Sequence, residues 1–291
     1  MSSINFNSSA TTALQTLREI NKDLNGTQNR VSTGLKVGSA GDNAAYWSIA
    51  TTMKSDNKAL GAASDSLGVG AAKVDTAYAA MESAIDVVNE IKAKLTTASE
   101  SSVNKDQVNL EIGKLQEQLS AIAQASSFNG ENWTVQSTGS TTTVVDGFIR
   151  NTDGTVEVTT AEFDSGTYAL FSSMTNGTGD GGILDDVMDI SISSASTQTN
   201  VDSFLDDVQT ALDNLTDGAS ALGALSKRID LQESFAGKIS DAIEKGVSRL
   251  VDADMEEESA RLSALQTQQQ LAIQSLSIAN SSSQNIMSLF R

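Results

Sequence analysis

The stretch LGAASDSLGVGAAKVDTAYAAMESAIDVVNEIKAKLTTA, residues 60–98, decides the fold. Leu60, Leu67, Val74, Met81, Val88 and Leu95 recur every seven residues. Three residues after each comes Ala63, Gly70, Ala77, Ala84, Ile91 or Ala98. Two rows at this spacing form one stripe along a helix, the pattern of a coiled-coil seam. The second row is mostly small, which lets a neighbour approach closely. Extended back to Asn43 and on to Ser99, the helix is about 85 Å long at 1.5 Å per residue. Gly61, Gly68 and Gly70 weaken it unless packing compensates.

Outward from this arm, Val108, Ile112, Leu115, Leu119 and Ile122 are spaced for a shorter helix, with Asn104 as its cap. The short link predicts that it folds back antiparallel. In the C-terminal third, Val208, Leu215, Leu222, Ile229, Ala236, Ile243 and Leu250 repeat the seven-residue step, and Leu205, Leu212 and Ala219 start a companion row. The expected fold is therefore mainly α. It is a long antiparallel coiled-coil helical bundle built from both chain ends, interrupted by a small β-rich central insert. In that insert, residues 133–136, 144–149, 155–159 and 167–171 read as strands. Asp153-Gly154 reads as a hairpin turn and NGTGDGG, residues 176–182, as a loop. The insert is too small for a deep core of its own.

The 291 residues carry 37 acidic and 19 basic side chains, a net charge of -18. Such a surplus disfavours nucleic acid and anionic membranes as partners. Half of it sits in residues 129–200, where ten acids face only Arg150, so the insert is expected to face solvent. Cys, His and Pro are absent. That removes thiol chemistry, the usual neutral-pH base and the commonest metal ligand, and leaves no proline to kink a long helix. The first residues lack a basic, apolar signal-peptide pattern, and no apolar run is long enough to span a bilayer.

Candidate chemistry is thin. The carboxylates Asp252, Asp254, Glu256, Glu257 and Glu258 lack the central glycine of a calcium loop. They read instead as a helix break followed by an acidic first turn at the positive end of a helix dipole. STGLKVGSAGDNAA, residues 32–45, has neither the ending of a P-loop nor a strand before it. It reads as a tight reversal in which Gly34 ends one helix and Asp42 or Asn43 caps the next. The plentiful hydroxyls have no histidine to activate them. Lys36, Lys54 and Lys58 sit in polar helical surroundings. No catalytic residue, metal or cofactor is expected.

The two ends are the informative part. Residues 1–17 carry no charge, and residues 265–291 carry only Arg291. Both keep helix-spaced apolar residues: Leu14, Leu17, Leu24 and Val31 at one end, Leu262, Leu265, Ala272, Leu276 and Ala279 at the other. Frayed termini are one reading. The other is burial against further copies of the chain, where a charge loses hydration for little return. Tyr46-Trp47, the aromatic pair of the arms, reads either as ordinary core or as an intersubunit anchor.

NRVSTGLKVGSAGDNAAYWSIA, residues 29–50, resembles the N-terminal signature of bacterial flagellins. The matches are Arg30, Ser32, Gly34, Leu35, Ser39, Ala40, Asp42, Ala44 and Ala45. SRLVDADMEEESARL, residues 248–262, is similar to the family's C-terminal signature through Ser248, Arg249, Asp252, Asp254 and Glu258. The closing QLAIQSLSIANSSSQNIMSLFR resembles its Gln/Ala-rich tail. The likeness covers about residues 1–130 and 201–291.

The resemblance implies a non-enzymatic subunit of an extracellular helical filament for swimming, exported through the flagellar type III channel without cleavage of a signal peptide. Its partners would be other copies of itself or sister flagellins, with an export chaperone, junction proteins and a filament cap. Rival readings are a hook–filament junction protein and a non-polymerising coiled-coil binding module. The expected divisions are 1–42, an N-terminal polymerisation helix and turn; 43–128, a coiled-coil arm; 129–200, a variable β-rich surface insert; 201–254, a second arm; and 255–291, a C-terminal polymerisation helix. The expected intersubunit residues are Leu14, Leu17, Leu24, Arg30, Val31, Leu35, Asp42, Tyr46, Trp47, Arg249, Asp252, Asp254, Leu262, Leu265, Leu276, Ile286 and Leu289.

Overall fold

In the computed structural model, residues 7–100, 102–175 and 177–288 are described, the last seven by their backbone alone. The chain divides into two compact units, residues 1–57 with 241–291 and residues 58–240. Helices α2 (Ala44–Ala98) and α5 (Gln198–Val251) contribute residues to both.

In the unit of residues 58–240, the stripes of α2 are buried along their whole length. Leu67, Val74, Ala84, Val88, Ile91, Leu95 and Ala98 are inaccessible. They share one core with Val208, Leu215, Leu222 and Ile229 of α5, and with Val108, Ile112 and Leu119 of α3 (Lys105–Ala125). Asn104 caps α3 as its position suggests, its side-chain oxygen accepting from the amides of Asp106 and Gln107. The Lys94–Glu111 ion pair, 2.5 Å, joins α2 to α3.

The insert forms three separate two-stranded antiparallel hairpins: β1 (Ser127–Phe128) with β2 (Glu131–Asn132), β3 (Thr142–Arg150) with β4 (Val156–Phe163), and β5 (Ser173–Thr175) with β6 (Thr178–Asp180). A one-turn helix α4 (Asp185–Met188) follows. The turn at Asp153-Gly154 is as expected, with Gly154 at φ 88° and Arg150 paired to Val156 across it.

Two expected strands are absent. Residues 133–136 and 167–171 touch at one parallel bridge, Val135 to Phe171, without forming strands. Their apolar side chains pack inward on the helices: Trp133, Leu170 and Phe171 belong to the helical core. Thr178–Asp180, inside the expected loop, is a strand. Gly179 lies so close to Phe171 that an added Cβ would sit 2.3 Å from the ring, so only glycine lets β6 lie there. The insert thus borrows its core from the arms. Val144, Ala161, Phe163, Leu184, Val187 and Ile192 join the same cluster.

The second unit contains α1 (Ser8–Thr33), the last helix α6 (Met255–Ser288), and the adjoining parts of α2 and α5. Helix α1 pairs antiparallel with α6. Asn7 donates to the Ala279 carbonyl (3.0 Å), Gln269 to Asn21 (2.6 Å) and Arg30 to Glu258 (3.2 Å), so rising numbers on one helix meet falling numbers on the other. Ile243 and Leu250, the end of the C-terminal row, pack against a small separate cluster of Val37, Ala50, Val247 and Val251.

Candidate assembly region

Helix α1 stops at Gly34, whose left-handed φ of 72° lets its amide bond back to the Arg30 carbonyl. The chain then runs beside the break between α5 and α6. The Lys36 amide donates to the Val251 carbonyl (2.8 Å) and the Ala253 amide to the Gly34 carbonyl (2.8 Å). Leu35 and Asp252 form an antiparallel bridge, and the Lys36 ammonium donates to the Arg249 carbonyl. Leu35, Val37, Ala50, Met53, Val247 and Val251 close an apolar plug under these bonds.

The two capping alternatives at Asp42 and Asn43 resolve cleanly. Asn43 caps α2 by accepting the Tyr46 amide (3.1 Å). Asp42 instead folds back on its own turn, accepting from the amides of Ser39 (2.9 Å) and Gly38 (3.1 Å) and from the Ser39 hydroxyl (3.0 Å). Those bonds, the Ser39 amide and hydroxyl foremost, hold its carboxyl below the usual aspartate range, with Arg30 adding a smaller electrostatic pull. Asp254 caps α6, accepting from Glu256 and Glu257. The carboxylates after it are an acidic first turn at the positive helix end. Among the described residues, no group of acidic side chains is placed to hold a metal, and no helix is long and apolar enough to cross a membrane.

Between α1 and α6 the contact is a single narrow seam. Leu17, Leu24 and Val31 face Leu262, Leu265 and Leu276, and all six are only half-buried. The fully buried members are polar, Thr27 and Glu258. Leu14 lies off the seam and is exposed. Tyr46 and Trp47, 46% and 40% exposed, stand on the first turn of α2 beside exposed Ile49. Arg249, Asp252 and Asp254 are exposed. Leu289 and the side chain of Ile286 lie outside the described residues.

Sequence reasoning missed a second apolar row on α6. Leu271 and Ile278, seven residues apart and 59% and 68% exposed, point away from the seam, while exposed Ile273 lies on another face of the helix. Their shared spacing was the available signal, hidden because the seam row occupies the same helix. It also missed the pairing of Arg30 with Glu258, two residues 228 positions apart.

These features define a class: a helical subunit whose two chain ends pair with each other, leave apolar rows uncovered, and hold a β-rich excursion between them. Comparison with known proteins is specific. Residues 4–138 match the bacterial flagellin N-terminal helical region, and residues 205–290 the bacterial flagellin C-terminal helical region. Flagellin C of Rhizobium meliloti (strain 1021) is 47% identical over an alignment 320 positions long, flagellin A of the same strain 41% over 397, and a flagellin of Brucella melitensis biotype 1 46% over 297, gaps included. Each of these alignments covers the whole of both chains. The chain belongs to the bacterial flagellin family. It is a non-catalytic structural protein, a subunit that self-assembles into the extracellular flagellar filament for motility.

Proposed function

We propose that filament assembly works through residues 1–42 and 255–291, which act as polymerisation segments, while residues 43–128 and 201–254 serve as arms and residues 129–200 as the outward surface insert. The observation that carries this reading is the exposed row of Leu271 and Ile278 beside a half-open seam. Fully burying one such side chain stabilises by about 1.5–3 kcal/mol, and in the single chain most of that gain is unrealised for both residues. A neighbouring copy supplies the missing cover. Leu14, Tyr46 and Trp47 extend the same apolar offer, and the uncharged composition of residues 265–281 removes the desolvation penalty that charges would bring.

Contacts between non-identical surfaces that do not close generate an open helix, as a filament requires. Leu17, Leu24, Arg30, Val31, Leu35, Leu262, Leu265 and Leu276 shape the paired helices that present these surfaces. Asp42, Arg249, Asp252 and Asp254 hold or flank the turn that joins them to the arms. Ile286 and Leu289 complete the tail by sequence spacing. The acidic insert stays outside because like-charged subunits repel. Export without signal cleavage, a chaperone on the C-terminal segment, junction proteins and a filament cap are the accompanying partners.

Deletion of residues 265–291 tests the assignment. The truncated chain is expected to stay soluble and monomeric in sedimentation, with no filaments in electron micrographs. Filaments at normal yield would overturn it.

A further inference from the structure

We infer that Glu258 is the register-setting residue of the α1–α6 pair, acting through Arg30. This builds on the reading of that pair as the polymerisation region. The seam around it is repetitive. On α6 it runs Leu262, Leu265, Gln269, Ala272, Leu276 and Ala279, and on α1 Ala10, Ala13, Leu17, Ile20, Asn21, Leu24, Thr27 and Val31. A displacement of one heptad places Ala279 where Ala272 lay, Ala272 where Leu265 lay, Leu276 where Gln269 lay and Gln269 where Leu262 lay, and it breaks the Gln269–Asn21 bond. These exchanges involve neutral side chains alone and discriminate less sharply than a buried charge.

Glu258 breaks that degeneracy. Its side chain is 8% exposed, and its Oε1 accepts from Arg30 at 3.2 Å and lies 3.7 Å from Arg261. One heptad back from Arg30 on the same face of α1 stands Asp23. A slip in that direction replaces an ion pair by two carboxylates. A slip in the other direction carries Glu258 past Gly34, where α1 has ended. Either removes Arg30 from the carboxylate and leaves only Arg261, half-exposed and 3.7 Å away on its own helix, a loss that the exchange of half-buried apolar residues does not carry. The Oε2 atom is already buried without a hydrogen-bond partner. This side chain is therefore poorly explained as a device for maximal stability. It is well explained as one for a unique alignment, the role in which buried polar groups between helices are best attested.

The chain has no native cysteine, so nitroxide labels can be placed cleanly at Thr16→Cys and Ser275→Cys, exposed positions flanking one groove between the helices. Electron–electron distances are then read in soluble protein and in filaments. The parent should show one distance population. Glu258→Leu should show a second of comparable share, displaced along the axis by about 10 Å, one heptad at 1.5 Å per residue. Leu262→Ala is the control: it weakens the same seam but leaves the ion pair, and should lower thermal stability while keeping one population. A single unshifted population in Glu258→Leu overturns the inference, as does loss of any defined distance, because Glu258 would then be needed for pairing itself rather than alignment. An equal second population in Leu262→Ala also overturns it. Filaments from the chain lacking residues 265–291 would defeat the polymerisation reading instead, whatever the label distances show.

Discussion

Gly70→Ala should destabilise the chain, whereas Gly68→Ala, two residues earlier on the same helix, should stabilise it. In a helix interior alanine is favoured over glycine by about 1 kcal/mol. At Gly68 nothing lies within 4 Å of the added Cβ, so this gain is realised. At Gly70 the added Cβ would stand 2.1 Å from Cγ1 of Val144, a buried residue of β3. Carbon pairs settle at roughly 3.5–4.0 Å, so Val144 or the β3–β4 hairpin must retreat. Overpacking of this kind costs about 1–3 kcal/mol. After subtracting the helix gain, Gly70→Ala loses up to about 2 kcal/mol and differs from Gly68→Ala by about 1–3 kcal/mol.

The double-mutant cycle with Val144→Ala locates the cause. Val144→Ala alone creates a small cavity and destabilises. In the Gly70→Ala background it also removes the colliding methyl, so the two changes should couple favourably, within the 0.5–3 kcal/mol seen for contacting residues at ~25 °C. Urea unfolding of unpolymerised protein, followed by far-UV circular dichroism, measures all four corners. If Gly70→Ala gains as much as Gly68→Ala and shows no coupling to Val144, then β3 does not rest on α2 at this point, and the reasoning fails.

Leu215 is inaccessible in the core shared by α2, α3 and α5; Leu215→Ala should lower unfolding stability by about 2–5 kcal/mol in the same assay. Asp42 supplies the pH test. Its folded pKa lies below the ordinary value, chiefly through the Ser39 hydrogen bonds. Its contribution to stability is therefore complete above the ordinary aspartate range and lost as pH falls through the depressed value. Exchange protection of the Gly38 and Ser39 amides should drop in that acid window, and Asp42→Asn should abolish the step; an unchanged acid profile in Asp42→Asn would show that another group titrates there.

What was legible beforehand was local and periodic. The seven-residue rows from Leu60 to Ala98 and from Val208 to Leu250 are a property of the chain that any partner must satisfy. The bounds of α2 accordingly fall within a residue of the expected ones. Caps were legible for the same reason. Gly34, Asn104 and the acidic turn after Asp254 satisfy amides and carbonyls only a few positions away. The residues 133–136 and 167–171 were misread as strands because β-branched and aromatic runs describe a half-buried surface. Here that surface is the flank of a helical core rather than a sheet.

By itself the sequence determined that both ends are amphipathic helices, that the arms bury continuous stripes, and that the chain is a flagellin-type subunit without catalytic groups. Tertiary structure alone decided which stripe meets which. It set Gly70 against Val144, joined Leu35 to Asp252, and brought Arg30 to Glu258 across 228 positions. Periodicity is carried by neighbours along the chain and can be read there. A partner far away in sequence is chosen by the summed packing and charge of the whole fold, which no local pattern encodes.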